Sequence, residues 1–89
     1  MSREPVLRLR QDDLAWREFA GEAVLLDLRT SMYLATNPAA TILWRRLDQG
    51  TTETAMAAAL VETFEIPADR AAADVRKFLA DCRERNLLT

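Results

Sequence analysis

The stretch that decides the fold is Leu25-Leu26-Asp27-Leu28-Arg29-Thr30-Ser31-Met32-Tyr33-Leu34-Ala35-Thr36-Asn37-Pro38. It reads as strand, tight turn, strand and helix cap in direct succession. From Thr30 to Trp44 it carries no charged residue, although 29% of the chain is charged. In Ala23–Leu28 the two-residue period puts Val24, Leu26 and Leu28 on one face and Leu25 and Asp27 on the other. Arg29-Thr30-Ser31 supplies the turn, and Met32–Thr36 returns as the next strand, the third of the chain.

Upstream, Leu14–Phe19 predicts a first strand, with Ala20-Gly21 as turn. Three short strands joined by tight turns make an antiparallel meander. Downstream, Asn37 and Pro38 are a cap and a first-turn residue, and Ile42, Leu43 and Leu47 form the stripe of a helix ending at Gly50. Trp44 beside that stripe reads as core or half-buried. Thr51 or Thr52 caps a second helix in which Met56, Leu60 and Phe64 recur every four residues, until Ile66-Pro67 breaks it. A third helix spans about Ala68 to Arg85. Its apolar arc is Ala71, Val75, Phe78, Leu79 and Cys82, Asn86 ends it, and Leu87-Leu88 folds back onto the core. The expected class is therefore α+β, a three-stranded antiparallel sheet followed by three helices. Residues 1–13 read as an N-terminal tail with a short alternating piece at Val6–Arg10, and residues 14–88 as one domain.

Composition narrows the chemistry. The 89 residues include no histidine, one cysteine and two widely separated glycines. Histidine is the commonest general base and metal ligand, zinc needs several thiols or imidazoles, and a phosphate loop needs clustered glycines. Cys82 on the apolar arc reads as a core thiol. The acidic pair Asp12-Asp13 and the third-helix carboxylates read as surface charge, with Arg70/Asp74, Lys77/Asp81 and Asp81/Arg85 at ion-pair spacing. No catalytic residue, metal site or cofactor is expected. Twelve basic against fourteen acidic residues disfavour nucleic acid. No apolar run reaches the length of a membrane span, and a lone cysteine without a signal sequence points to the cytoplasm.

What is left is the neutral third strand. At a sheet edge, Met32, Tyr33, Leu34, Ala35 and Thr36 would offer unpaired backbone groups with no lysine, proline or bulge to blunt them. Such an edge accepts an extended peptide as a further strand, or a second copy of the same chain.

The same run resembles the signature "hydrophobic-Leu-Asp-x-x-Thr-Gly-x-Tyr-x-x-Leu-Asn" of PqqD-like proteins. Ala73-Asp74-Val75-Arg76-Lys77-Phe78-Leu79, continuing to Leu87-Leu88, resembles that family's closing "Ala-Asp-Val-x-x-Phe-Leu" and "Gly-Leu-Leu". The spacing of the two blocks matches, and Trp44 and Gly50 fall at familiar places. Ser31 departs from the family's turn glycine, Thr36 from its leucine, and Asn86 from its glycine.

The resemblance implies a winged helix-turn-helix. It implies a non-catalytic recognition element that binds the leader of a ribosomally made precursor peptide beside the third strand and against the third helix. A free-standing domain of this length is most similar to the lasso-peptide form, whose implied partners are the precursor leader, a cysteine-protease-type leader peptidase and a macrolactam-forming cyclase. The other free-standing form serves pyrroloquinoline quinone synthesis.

On that reading the groove is expected between Met32–Thr36 and Ala72, Val75, Arg76, Leu79 and Arg83. Val75 and Leu79 would line pockets, a role they share with core packing. Arg76 and Arg83 would hold carboxylates, because the opposite flank (Arg70, Asp74, Asp81, Arg85) reads as internally paired. The competing classes are a winged-helix DNA binder and a structural subunit of a larger complex. For the first, Arg70, Arg76, Lys77, Arg83 and Arg85 are nearly balanced by Asp69, Asp74, Asp81 and Glu84.

Overall fold

Apolar alternation and well-placed caps produce six elements in the expected order. They are β1 (Leu14–Phe19), β2 (Glu22–Asp27), β3 (Met32–Ala35), α1 (Pro38–Gln49), α2 (Glu53–Phe64) and α3 (Ala68–Glu84). This computed structural model describes residues 4–89 apart from Gly21 and Thr36, and describes Ala35 through its backbone alone. The expectations for the Gly21 turn, for Met1–Arg3 and for Thr36 lie outside the described residues. The sheet is antiparallel in the order β1-β2-β3, with Trp16 opposite Leu25 and Leu25 opposite Leu34. An α+β fold of three strands followed by three helices is what the sequence predicts.

Local chemistry accounts for the helix ends. Asn37 Oδ1 accepts the Ala40 amide at 2.8 Å to start α1, and Thr52 Oγ1 accepts that of Ala55 at 3.2 Å to start α2. Gly50 closes α1 at φ +89, a conformation that a side chain would strain. At the end of α3, Asn86 takes φ +56 while the Leu87 amide donates to Cys82 O and the Asn86 amide to Arg83 O. This is the two-bond left-handed cap that a C-terminal Gly or Asn permits.

The helices cover one face of the sheet. Ala23 and Leu25 of β2 join Leu43, Trp44, Leu47, Met56, Leu60, Val75, Leu79 and Leu87 in the core. The choice of face is informative. The more apolar row of β2 points outward, with Val24 exposed and Leu28 exposed just past the strand's end, while Asp27 is buried. Two long-range bonds make that possible. The Ala23 amide donates to Thr41 Oγ1 of α1 at 2.9 Å, and Asp27 Oδ1 accepts Arg10 at 2.8 Å.

The N-terminal segment packs into the domain rather than standing apart as a tail. Leu7 exchanges two backbone bonds with Thr51, and the Arg10 amide donates to Leu87 O. Leu9 is 1% exposed at the centre of the core. Burying a leucine contributes roughly 1.5–3 kcal/mol, enough to hold an extended segment that has no helix or sheet of its own. Arg10 then reaches Asp27 at the end of β2.

Candidate functional site

β3 is an edge strand. Among the described residues its backbone makes no hydrogen bond outside its ladder with β2. It carries no charge, and Met32 and Tyr33 are 50% and 72% exposed. Its preceding turn is held by Asp27, whose Oδ1 also accepts the Arg29 amide at 3.0 Å. Burial alone would raise the Asp27 pKa. The Arg10 hydrogen bond and charge, the Arg29 amide and the Thr30 hydroxyl outweigh it and hold the carboxyl below its ordinary range.

Beside this edge runs a groove toward α3. Its central part, about 200 Å³, is lined by Leu34, Asn37, Ala40, Trp44, Phe78 and Asp81, with Cys82, Arg85 and Leu87 completing it. A smaller depression of about 80 Å³ continues past Arg85 to Thr30 and Met32. A third, of about 330 Å³, continues past Phe78 and Asp81 to Asp74, Lys77 and Leu60. Shared lining residues place the three side by side along β3 and α3. Trp44 and Phe78 meet edge to face at 4.8 Å, and the Trp44 indole N–H is buried without a partner among the described residues. Burial first, then Asp81, pushes the Cys82 thiol up to about 12, so it serves the groove as an apolar surface and not as a nucleophile.

The charges of α3 do not neutralise one another as spacing predicts. Among the described residues only Arg70 and Asp74 pair, at 4.0 Å, while Lys77, Asp81 and Arg85 form no ion pair. The flank expected to be occupied with itself therefore presents free charges to the groove.

The expected site residues divide. The structure brings Met32 and Leu34 to the groove and the backbone of Ala35 to the open edge. Tyr33 points to the other face of the sheet, where it lines a separate depression with Arg17, Val24 and Leu26. Val75 and Leu79 are fully buried core residues. Ala72, Arg76 and Arg83 line none of the three depressions beside β3, and Arg76 Nε donates back to Ala72 O at 3.3 Å. At 100° per residue they lie on the far side of the buried arc from Phe78, Asp81 and Arg85. From α3 it is Phe78, Asp81 and Arg85, absent from the expected set, that line the groove. The available signal was Phe78, an aromatic at the margin of the arc rather than its centre.

A family model described as coenzyme PQQ synthesis protein D (PqqD) matches residues 22–88. The chain belongs to the PqqD family. The PqqD match runs from β2 through the final bridge, so it contains β3, α3 and the whole groove and leaves out β1. Two solved structures are similar over nearly the full length. TbiB1 in complex with the TbiA(beta) leader peptide has a TM-score of 0.83 at 22% identity, covering 91% of this chain and 93% of that one. A lasso peptide synthetase B1 complexed with the leader peptide has a TM-score of 0.76 at 26% identity, covering 93% and 96%. No curated protein matches the chain.

Among the described residues no helix is long and apolar enough to cross a membrane, and no group of acidic, cysteine or histidine side chains is placed to hold a metal.

Proposed function

We propose that this protein binds the leader segment of a ribosomally made precursor peptide and delivers it to processing enzymes of lasso-peptide biosynthesis. The observation that carries the reading is the neutral, unblunted edge of β3 lying directly over a groove with an aromatic floor. A peptide added there gains main-chain bonds from residues 32–35 and seats alternate side chains against Leu34, Trp44 and Phe78. That two proteins of the same fold are complexed with leader peptides supports a leader as the occupant. With no histidine and its thiol held protonated, the domain supplies binding and the chemistry belongs to partners, a leader peptidase and a macrolactam-forming cyclase.

The test is fluorescence anisotropy with the labelled leader of the precursor encoded beside the gene. Saturable binding at roughly micromolar or tighter concentration is expected, the range of ordinary peptide-recognition contacts. N-methylation of alternate leader amides separates strand addition from other modes. Blocking one set of alternate amides abolishes binding and blocking the other leaves it. Equal tolerance of both sets, or no binding at all, would overturn the reading. The family's description favours one second reading, a role in pyrroloquinoline quinone synthesis, which predicts preference for that pathway's precursor over any lasso leader.

A further inference from the structure

Arg85 sits where the central and turn-side depressions of the groove meet, and it lines both. Two carboxylates are near enough in the fold to be its natural partners, and neither is. Asp27, which shares the turn-side depression, is committed to Arg10 and to the Arg29 amide. Asp81, one helical turn back, forms no ion pair with it. The guanidinium is exposed at the C-terminal cap of α3, where the helix dipole favours a cation. Beside it in the two depressions are the apolar Met32, Leu34 and Leu87 and the polar Thr30, together with the two carboxylates already named.

From this we infer that Arg85 selects peptides carrying an acidic side chain opposite Met32, next to an apolar residue seated on Leu34 and Phe78. A planar guanidinium with unoccupied donors fits a carboxylate better than any neutral group. Asp81, also unpaired, would discourage a second acid further along. The four-residue step from Asp81 to Arg85 spans about 6 Å of helix, or two residues of an extended strand, so the discrimination is local. Arg85 is a specificity residue of the proposed groove, and the inference rests on the peptide-binding reading.

The experiment is selection from a displayed library of random twelve-residue peptides, run on the wild-type protein, on Arg85→Glu and on Leu34→Pro. The expected result is enrichment on wild type of peptides with Asp or Glu at one fixed position beside an apolar residue, with Lys or Arg replacing the acid on Arg85→Glu. Changing the enriched acid to Gln in a synthetic peptide should weaken wild-type binding roughly fivefold, the scale of an exposed ion pair, and the loss should shrink at high salt. Enrichment of apolar peptides without a fixed acid, or an acid retained on Arg85→Glu, overturns the role of Arg85 and leaves strand addition standing. Absence of any enrichment on wild type, or equal enrichment on Leu34→Pro, overturns the peptide-binding reading and this inference with it.

Discussion

The two edges of this sheet are built differently. β1 carries Arg17 and Glu18, and Glu18, on the row that faces the helices, is ion-paired to Arg45 of α1. An inward charge tied to a helix is one of the ways a protein blunts an edge. β3 has none of these devices and faces a groove instead. The two strands share β2 and even one cross-strand row, Trp16–Leu25–Leu34. The difference therefore lies in the edge residues and not in the sheet. It teaches that edge protection is applied strand by strand, so its absence on one side marks that side as the one kept open.

The strongest way to break the comparison is to remove what the edges share. Leu25→Ala at the centre of the row should cost about 2–5 kcal/mol, the usual result of emptying a fully buried leucine site. In a small domain that approaches the whole stability. Thermal unfolding by circular dichroism should show a large drop in midpoint, and an unchanged midpoint would mean the row is not core.

Next come the row's two ends. Leu34→Ala should weaken leader binding roughly tenfold, as loss of a central interface anchor does. Trp16→Ala should lower stability while leaving affinity nearly unchanged. Equal losses of affinity from both would erase the distinction between the edges.

Asp27→Asn sharpens it through pH. The lowered native pKa of Asp27 means that its contribution is complete above the ordinary carboxylate range and is lost as pH falls through the lowered value. The variant should lose stability at neutral pH and show a flatter acid limb in urea titrations, because its Arg10 bond no longer depends on ionisation. A parallel acid limb would remove Asp27 from the account of the turn before β3.

The smallest effect belongs to Ser31, which holds φ +58 in that turn. A non-glycine residue there is strained, so Ser31→Gly should raise stability by about 0.5–1 kcal/mol after the added entropy of the unfolded chain is counted. The urea midpoint reports it.

Sequence periodicity and capping residues were sufficient for the elements. Asn37-Pro38, Thr52, Gly50 and Asn86 act through neighbours at most five residues away, so their effect is visible in the chain itself. The neutrality of β3 was legible for the same reason. Three features were decided only by tertiary packing. The face that β2 buries depends on Arg10 reaching Asp27 and on Thr41 reaching Ala23, contacts 17 and 18 residues apart. The N-terminal segment belongs to the domain because Leu9 finds a site between α1 and the chain's end, which an alternating five-residue pattern does not announce. The flank of α3 that meets the groove is Phe78, Asp81 and Arg85. A helical wheel is symmetric about its apolar arc, and ion-pair spacing alone made that flank look occupied with itself. Only the way α3 packs against the rest of the core breaks the symmetry and turns those side chains toward β3.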